Sequence, residues 1–394
     1  MNKIALINRV KYNKTIYLIY NYFGSKVISF LKHFLHTDDK LIVFASFGGR
    51  KFDDSPKAIY DAMLKDERFE ECHFVWAFIH PEGYNLPKGE KVRIDTFRYY
   101  KILLRARIWV TNSSMTRGLN LTGINTFELN TWHGSAVKKM GADINKNSKA
   151  FGLKEQKENE GVMLAQGKYD VDVFSRAFNH PQDFFRIIGL PRNDVLAHTT
   201  PEEREKIRNK MELPKGKKII LYAPTYREFE KDTNYNCILE IPIDLKKWEE
   251  QLGHDYILLL RAHYEVVKMM NFKDNDFVRN VSSYPNLNEL MIVSDILISD
   301  YSSIYFDYSI MGKPMLSFAY DYERYYRERG LYFDIRKELE SEGLECEDCV
   351  ISELLQMDIE KRRNIALRFR DKYVEEYGNA SKRSLDIIKQ QLKD

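Results

Sequence analysis

The sequence predicts an α/β protein of two doubly wound, parallel-sheet domains facing each other across a cleft. Three observations carry that expectation. The chain has 394 residues, more than a usual single domain; short β-rich runs alternate with helical patterns; and the alternation falls into two series around a turn-rich connector. A composition of 44% hydrophobic and 30% charged residues is ordinary for a globular chain.

The first element, residues 1–36, is a basic amphipathic segment. From Tyr12 to His36 the apolar residues Ile16, Ile19, Phe23, Val27, Phe30 and Phe34 recur every three or four positions, and Lys3, Arg9, Lys11, Lys14, Lys26 and Lys32 supply charge. Lys26 and Lys32 interrupt the roughly 18 uncharged residues that a spanning helix needs. No small-residue cleavage site follows, so a removable signal is not expected either. Two placements stay open: a helix lying in the plane of an anionic leaflet, or one packed on the first domain. The rings of Tyr17, Tyr20, Tyr22, Phe23, Phe30 and Phe34 favour the interface.

Residues 37–188 form the first predicted domain, with strands at Leu41–Phe47, Phe74–Ile79, Ile108–Thr111, Phe127–Thr131 and Val162–Gln166. Asp54-Ser55-Pro56 starts a helix running to about Lys65, a cap followed by proline in the first turn. Strand and helix in alternation imply a parallel sheet covered on both faces. The connector Gly189-Leu190-Pro191-Arg192-Asn193-Asp194 carries turn residues and opens the second domain, 189–357. Its series of runs is Arg186–Gly189, Lys218–Ala223, Tyr256–Leu260, Asp295–Ser299 and Met315–Phe318. Thr200-Pro201-Glu202-Glu203 is a capping box and Asn286–Ile292 a second helix. Residues 358–394 read as helices that pack back across the domains.

Ligands of open α/β sheets bind beyond the carboxyl ends of the strands, and four motifs fall there. Asn130-Thr131-Trp132-His133-Gly134-Ser135 puts a histidine beside glycine, and a side chain titrating near neutrality suits general-base work on a hydroxyl. A histidine bonding loop backbone is the plainer alternative. Arg261-Ala262-His263 offers a guanidinium fork and an imidazole to phosphate oxygens. Asp300-Tyr301-Ser302-Ser303 leads from a strand into a helical pattern with hydroxyls and free backbone amides. Tyr222-Ala223-Pro224-Thr225-Tyr226-Arg227 brings Thr225 and Arg227 to the cleft. Arg192 in the connector and Ser135 complete the candidate binding set. Asp300 keeps Mg²⁺ open, although no carboxylate pair demands a metal and no cofactor is required.

The totals exclude other classes. A net charge of +3, with 61 basic residues offset by 58 acidic ones, leaves no stripe for nucleic acid. Four cysteines cannot form a disulfide framework, so a reduced compartment fits best. Cys346-Glu-Asp-Cys349 lacks further ligands for zinc and reads as an acidic surface loop in preference to a redox pair.

Taken in order, Trp132-His133-Gly134-Ser135, Gly189 to Asp194, Tyr222 to Arg227, Arg261-Ala262-His263, Ser299 to Ser303 and Phe306-Asp307-Tyr308 resemble the CDP-glycerol glycerophosphotransferase family of teichoic acid synthesis. The likeness extends over about residues 40–335, from Phe47-Gly48-Gly49-Arg50 and Ser55-Pro56-Lys57 through Tyr320-Asp321 to Arg329-Gly330. It implies a GT-B arrangement, a membrane-associated first domain for the acceptor and a second domain for the cytidine nucleotide. It also implies two catalytic histidines, matching His133 and His263. Two positions depart from the family pattern: Ser135-Ala136 replaces Thr-Pro, keeping the hydroxyl, and Tyr264 replaces a proline. The expected reaction is attack of an acceptor hydroxyl on the glycerol-bearing phosphorus of CDP-glycerol, with His133 taking the proton and CMP leaving. His263, Ser302, Ser303 and Arg261 would hold the pyrophosphate. The expected partners are CDP-glycerol, a lipid-linked acceptor and the cytoplasmic face of the cell membrane, with peripheral association and room for a homo-oligomer. The absence of long terminal extensions favours addition of one or few units over processive polymerisation. A ribitol donor, a capsule-type polymer, and a GT-B sugar transferase releasing a nucleoside diphosphate are the alternatives.

Overall fold

The computed structural model describes residues 14–121, 125–144, 160–225, 227, 242–262 and 273–392. Its architecture is two parallel sheets flanked by helices. The first sheet contains β1 (Asp38–Ala45), β2 (His73–Phe78), β3 (Glu90–Arg93), β4 (Ala106–Thr111), β5 (Phe127–Asn130), β6 (Gly161–Ala165) and β7 (Phe185–Ile187), in spatial order β3-β2-β1-β4-β5-β6-β7. The second contains β8 (Lys218–Tyr222), β9 (Tyr256–Leu260), β10 (Val278–Asn280), β11 (Ile296–Ser299) and β12 (Met315–Ser317), ordered β10-β9-β8-β11-β12. Each sheet therefore has one switch point, between β1 and β4 in the first and between β8 and β11 in the second. These are the crevices where a doubly wound fold binds ligands.

The strands read as continuous apolar runs because both faces are covered. Ile42, Phe44, Ile108, Val110, Leu129 and Leu164 pack on one side of the first sheet, and Val43, Ala45 and Trp109 on the other. Register levels the carboxyl ends: Ala45 pairs with Thr111 and Thr111 with Asn130. In the second sheet Tyr222 pairs with both Ile298 and Leu260.

One strand moves to the other sheet and two are not anticipated by the sequence. Arg186–Gly189, expected to open the second series, is β7 on the edge of the first sheet, where Phe185 to Ile187 pair with Met163 to Ala165. Its three residues follow a helix and precede the connector, a pattern that suits either domain. The short edge strands β3 and β10 carry charged and polar residues and no apolar run.

The capping box at Thr200 forms as the sequence anticipates, with Thr200 Oγ1 accepting from the Glu203 amide at 3.2 Å and Glu203 returning the bond at 2.9 Å. The C-terminal helices divide between the domains. Ile359–Tyr373 sets Phe369 and Tyr373 against Phe306 of the second domain, while Ala380–Gln391 places Leu385 and Ile388 in the core of the first. The chain returns beside the connector: the Ala380 and Ser381 amides donate to the Asp194 carboxylate at 2.9 and 2.7 Å. A Cβ on Gly189, whose φ is 85°, would come within 2.6 Å of the Glu376 carbonyl. Glycine is required there.

The N-terminal helix spans Lys14–Leu31 and has two faces. One lies on the first domain, where Ile28 is buried, Ser25 Oγ accepts from the Asn120 amide at 2.9 Å and Asn21 donates to the Gly118 carbonyl. The other face exposes Ile19, Phe23, Val27 and Phe30, the periodic apolar set. Both placements left open by the sequence thus have a face to support them. Among the described residues no helix is long and apolar enough to cross a membrane.

Cys346 and Cys349 differ from the acidic surface loop expected of them. They are joined in a disulfide at the start of the helix Glu347–Leu355, with Cys346 Sγ accepting from the Cys349 amide at 3.2 Å. Residues three apart share a face of the first helical turn, which brings the sulfurs together.

Candidate active site between the domains

The first arm of the cleft is built from three strand ends. After β1 the backbone turns through Phe47, Gly48 and Gly49 with φ of 49°, 61° and 79°. The turn is held by β4: the Phe47 amide donates to Asn112 Oδ1 at 2.7 Å and the Gly48 amide to Ser113 Oγ at 2.9 Å. After β5, Trp132 also has a positive φ, 49°, and turns His133 toward Phe47, with ring centroids 6.0 Å apart. Left-handed backbone at two bulky aromatic residues is costly and gathers at functional sites.

His133 Nδ1 lies 2.8 Å from the Asn112 carbonyl oxygen. A carbonyl can only accept, so Nδ1 carries the hydrogen and Nε2 of the neutral ring carries the lone pair. Burial pushes the imidazole pKa below its ordinary value of 6.5, with the nearby Arg192 cation acting in the same direction and the Asn112 bond and Asp54 opposing. The ring is therefore neutral at physiological pH and able to take a proton.

The second arm begins at β11. Asp300 is buried with both oxygens occupied: Oδ1 accepts from the Thr225 and Tyr301 amides at 2.8 and 2.7 Å, and Oδ2 from Arg227 Nη1 at 2.9 Å. Arg227 forks onto Asp321 with two bonds of 2.8 and 2.9 Å and lies over the rings of Tyr301, Tyr320 and Tyr325. Its guanidinium is 1% exposed. Arg227 and Asp300, both expected in the substrate-binding set, are thus turned into the second domain, because each offsets the other where burial would penalise a lone charge. Among the described residues no group of three or more acidic, histidine or cysteine side chains could hold a metal.

Ser302 and Ser303 stand at the mouth of this arm and are only half-buried. The arms meet there: a Cβ on Gly134, whose φ is 138°, would fall 2.9 Å from Ser303 Oγ and 3.4 Å from Arg192 Nη2. Arg261, beyond β9, donates to the carbonyls of Val281 and Tyr284 at 3.2 and 2.9 Å and makes no ion pair among the described residues. Burial lowers its pKa, with Asp53 opposing, and a partly desolvated cation of this kind invites an anion. His263 lies outside the described residues.

Ser135 and Arg192 occupy different places from those expected. The Ser135 hydroxyl donates to Asp170 at 2.9 Å and accepts from Gln166 at 2.9 Å in a buried network, and Arg192 is held by two carboxylates. Burial pushes the Asp170 carboxyl up to about 7 against the bonds from Gln166 and Ser135. Among the described residues, the buried polar atoms Asn112 Nδ2, Trp132 Nε1 and Thr225 Oγ1 at the cleft have no hydrogen-bond partner. Sequence reasoning missed Asn112, which fixes the His133 tautomer through its carbonyl. Its position directly after a strand at the switch point was the available signal.

A two-sheet, two-arm cleft of this form is a GT-B fold. The S. aureus MnaA–UDP co-structure shares it at 14% identity and a TM-score of 0.53, covering 89% of this chain and 97% of that one, a likeness of fold alone. The particular family follows from closer likenesses. The family model described as CDP-Glycerol:Poly(glycerophosphate) glycerophosphotransferase matches residues 27–390, and the chain belongs to that family. It is 32% identical to the teichoic acid glycerol-phosphate transferase of Staphylococcus aureus (strain NCTC 8325 / PS 47), over 88% of this chain and 92% of that protein. To the teichoic acid poly(glycerol phosphate) polymerase of Staphylococcus epidermidis it is 34% identical over 76% of its own length, spanning 43% of that longer protein. A histidine-to-asparagine variant of the wall teichoic acid polymerase TagF, soaked with CDPG, superposes with a TM-score of 0.83 at 30% identity over 93% of this chain and 92% of that one.

Proposed function

We propose that this glycerophosphotransferase moves glycerol phosphate from CDP-glycerol to a lipid-linked acceptor of teichoic acid synthesis. The observation that carries the reading is the His133 lone pair, fixed on Nε2 by the Asn112 carbonyl, in the arm that touches Ser303 through Gly134. The acceptor hydroxyl forms a new O–P bond at the glycerol-bearing phosphorus, its proton passes to His133 Nε2, and the P–O bond to CMP breaks. Ser302, Ser303 and the Arg261 guanidinium hold the pyrophosphate, and Thr225 Oγ1 offers a further bond. Positioning and charge stabilisation account for most phosphoryl-transfer catalysis, and the site supplies both. His263 is carried over from the family pattern as the second histidine. Turnover is expected to survive a chelator; loss of activity restored by Mg²⁺ would make the reaction metal-dependent.

The exposed face of the Lys14–Leu31 helix supports peripheral attachment to the cytoplasmic leaflet. Phe23 and Phe30 are each 64% exposed, and Lys26 lies on the same helix.

The test combines the protein with CDP-glycerol and a lipid-linked acceptor, following CMP release and the mass of the lipid product. Release of CMP with a gain of one or more glycerol phosphate units is the expected result. A nucleoside diphosphate product from a sugar nucleotide, without CMP from CDP-glycerol, overturns the reading in favour of sugar transfer. CDP-ribitol and capsule-type acceptors form the other arms of the screen.

A further inference from the structure

The guanidinium of Arg192 is divided between the two domains. Nη1 donates to Asp54 Oδ2 at 2.7 Å, at the head of the helix after β1, and Nη2 donates to Asp307 Oδ2 at 2.7 Å, in the helix after β11. The three side chains are 12%, 8% and 3% exposed, so the bridge is withdrawn from solvent. Asp307 Oδ1 accepts from Asn193 Nδ2 at 2.6 Å, and the same amide reaches Gln166 Oε1 at 3.1 Å. Gln166 Nε2 in turn donates to Ser135 Oγ at 2.9 Å. A continuous polar chain thus runs from Ser135, next but one to His133, through the connector to Asp307, in the helix that begins just after Ser303.

Arg192 also touches the reactive loop, since its Nη2 is what a Cβ on Gly134 would meet at 3.4 Å. Asp54 holds a φ of 66°, a conformation that non-glycine residues rarely keep, while its carboxylate serves both Arg192 and the Ser55 amide. A buried ion pair contributes little net stability over a well-packed apolar replacement, so its presence is better explained by geometry than by energy. A planar fork bonded at both ends fixes distance and direction together, which a single ammonium cannot.

We propose that Arg192 is a positioning residue: clamped between Asp54 and Asp307, it sets the separation of the His133 and Ser302–Ser303 arms at which transfer occurs. It touches no reacting atom. The inference rests on the reading of His133 as base, and its test is arranged to fail separately from that reading.

Steady-state CMP release from CDP-glycerol with lipid-linked acceptor is measured for Arg192→Lys, Asp54→Asn and the double variant. A misplacement of about 1 Å costs about 10²-fold in rate, so Arg192→Lys is expected to lower kcat on that scale. KM for CDP-glycerol should stay within about two-fold, because ground-state binding is untouched. The double variant should fall no further than Arg192→Lys alone, since both changes open one clamp. A KM raised with kcat unchanged would mean that the guanidinium binds nucleotide, and overturns the proposal. Unchanged kcat and KM overturn it as well. If Arg192→Lys fails to fold by circular dichroism, Asp54→Asn and Asp307→Asn carry the same reading: kcat falls with KM held, or the proposal is lost. Full turnover by His133→Ala sinks the base assignment alone, and the kcat-against-KM split of the Arg192 variant would still be legible.

Discussion

The two arms of the cleft solve opposite problems. The first keeps a titratable group uncharged: burial and the Arg192 cation hold His133 neutral against the opposing Asn112 bond, while strained backbone at Phe47 and Trp132 sets the ring in place. The second buries full charges and pairs them internally, Asp300 and Asp321 sharing Arg227, under a lid of tyrosine rings. A reactive nitrogen must stay available, so His133 stands outside the Arg192–Asp54 ion pair that faces it. A wall that orients a polyanion must not move, and a saturated ion-pair network makes it stiff. The difference teaches that an arginine at a strand end can be scaffold: Arg227 is spent, whereas Arg261, bonded only to carbonyls among the described residues, has charge to offer.

The sharpest way to break this contrast is His133→Ala, expected to slow CMP release by about 10²- to 10⁴-fold with circular dichroism unchanged. Arg227→Met should act on the other side of the comparison, costing about 3–5 kcal/mol in denaturant unfolding because two buried carboxylates lose their partner. Lost nucleotide affinity at unchanged stability would instead make Arg227 a substrate ligand and erase the distinction. A smaller effect is expected of Gly134→Ala. The added carbon meets Ser303 at a φ of 138°, and destabilisation of about 1–3 kcal/mol should accompany a lower kcat.

The finest probe is pH. A histidine whose folded pKa is lowered favours the neutral form in the native state. The acid limb of kcat/KM should therefore fall below pH 6.5. The stability associated with the neutral ring is fully present above the unfolded value of about 6.5 and is lost progressively as pH falls from there through the lower folded value. The charged groups facing His133 are Arg192 and Asp54, which act in opposite directions. Arg192→Met should move the limb upward and Asp54→Asn downward; a limb that ignores both would show the titrating group to be elsewhere.

The architecture was legible because apolar runs such as Leu41 to Ala45 and Tyr256 to Leu260 admit one reading once helices alternate with them. β3 and β10 escaped because edge strands of three or four residues, all but one in each charged or polar, carry no periodic signal. In the site, His133 and Ser303 could be read from their places at strand ends. The fates of Arg227 and Arg192 could not, since each is decided by carboxylates 73 to 138 residues distant in sequence. Asn193 and Asp307 lay inside motifs that sequence reasoning singled out, yet nothing local marks them as a bridge between domains. Pairings over such separations are properties of the folded chain.

The return of the C-terminal helix to the first domain has a kinematic consequence. The polypeptide crosses between the domains twice, once at Gly189 to Asp194 and once near Glu376 to Ala380, and the crossings lie side by side, tied by the Asp194 carboxylate. Two adjacent tethers remove the freedom that one would leave, so relative rotation is confined to a narrow axis close to that junction. Gly134 and Ser303 lie within reach of Arg192, a side chain of the connector itself, so the inner end of the cleft opens least in such a turn and the parts farther from the junction open most.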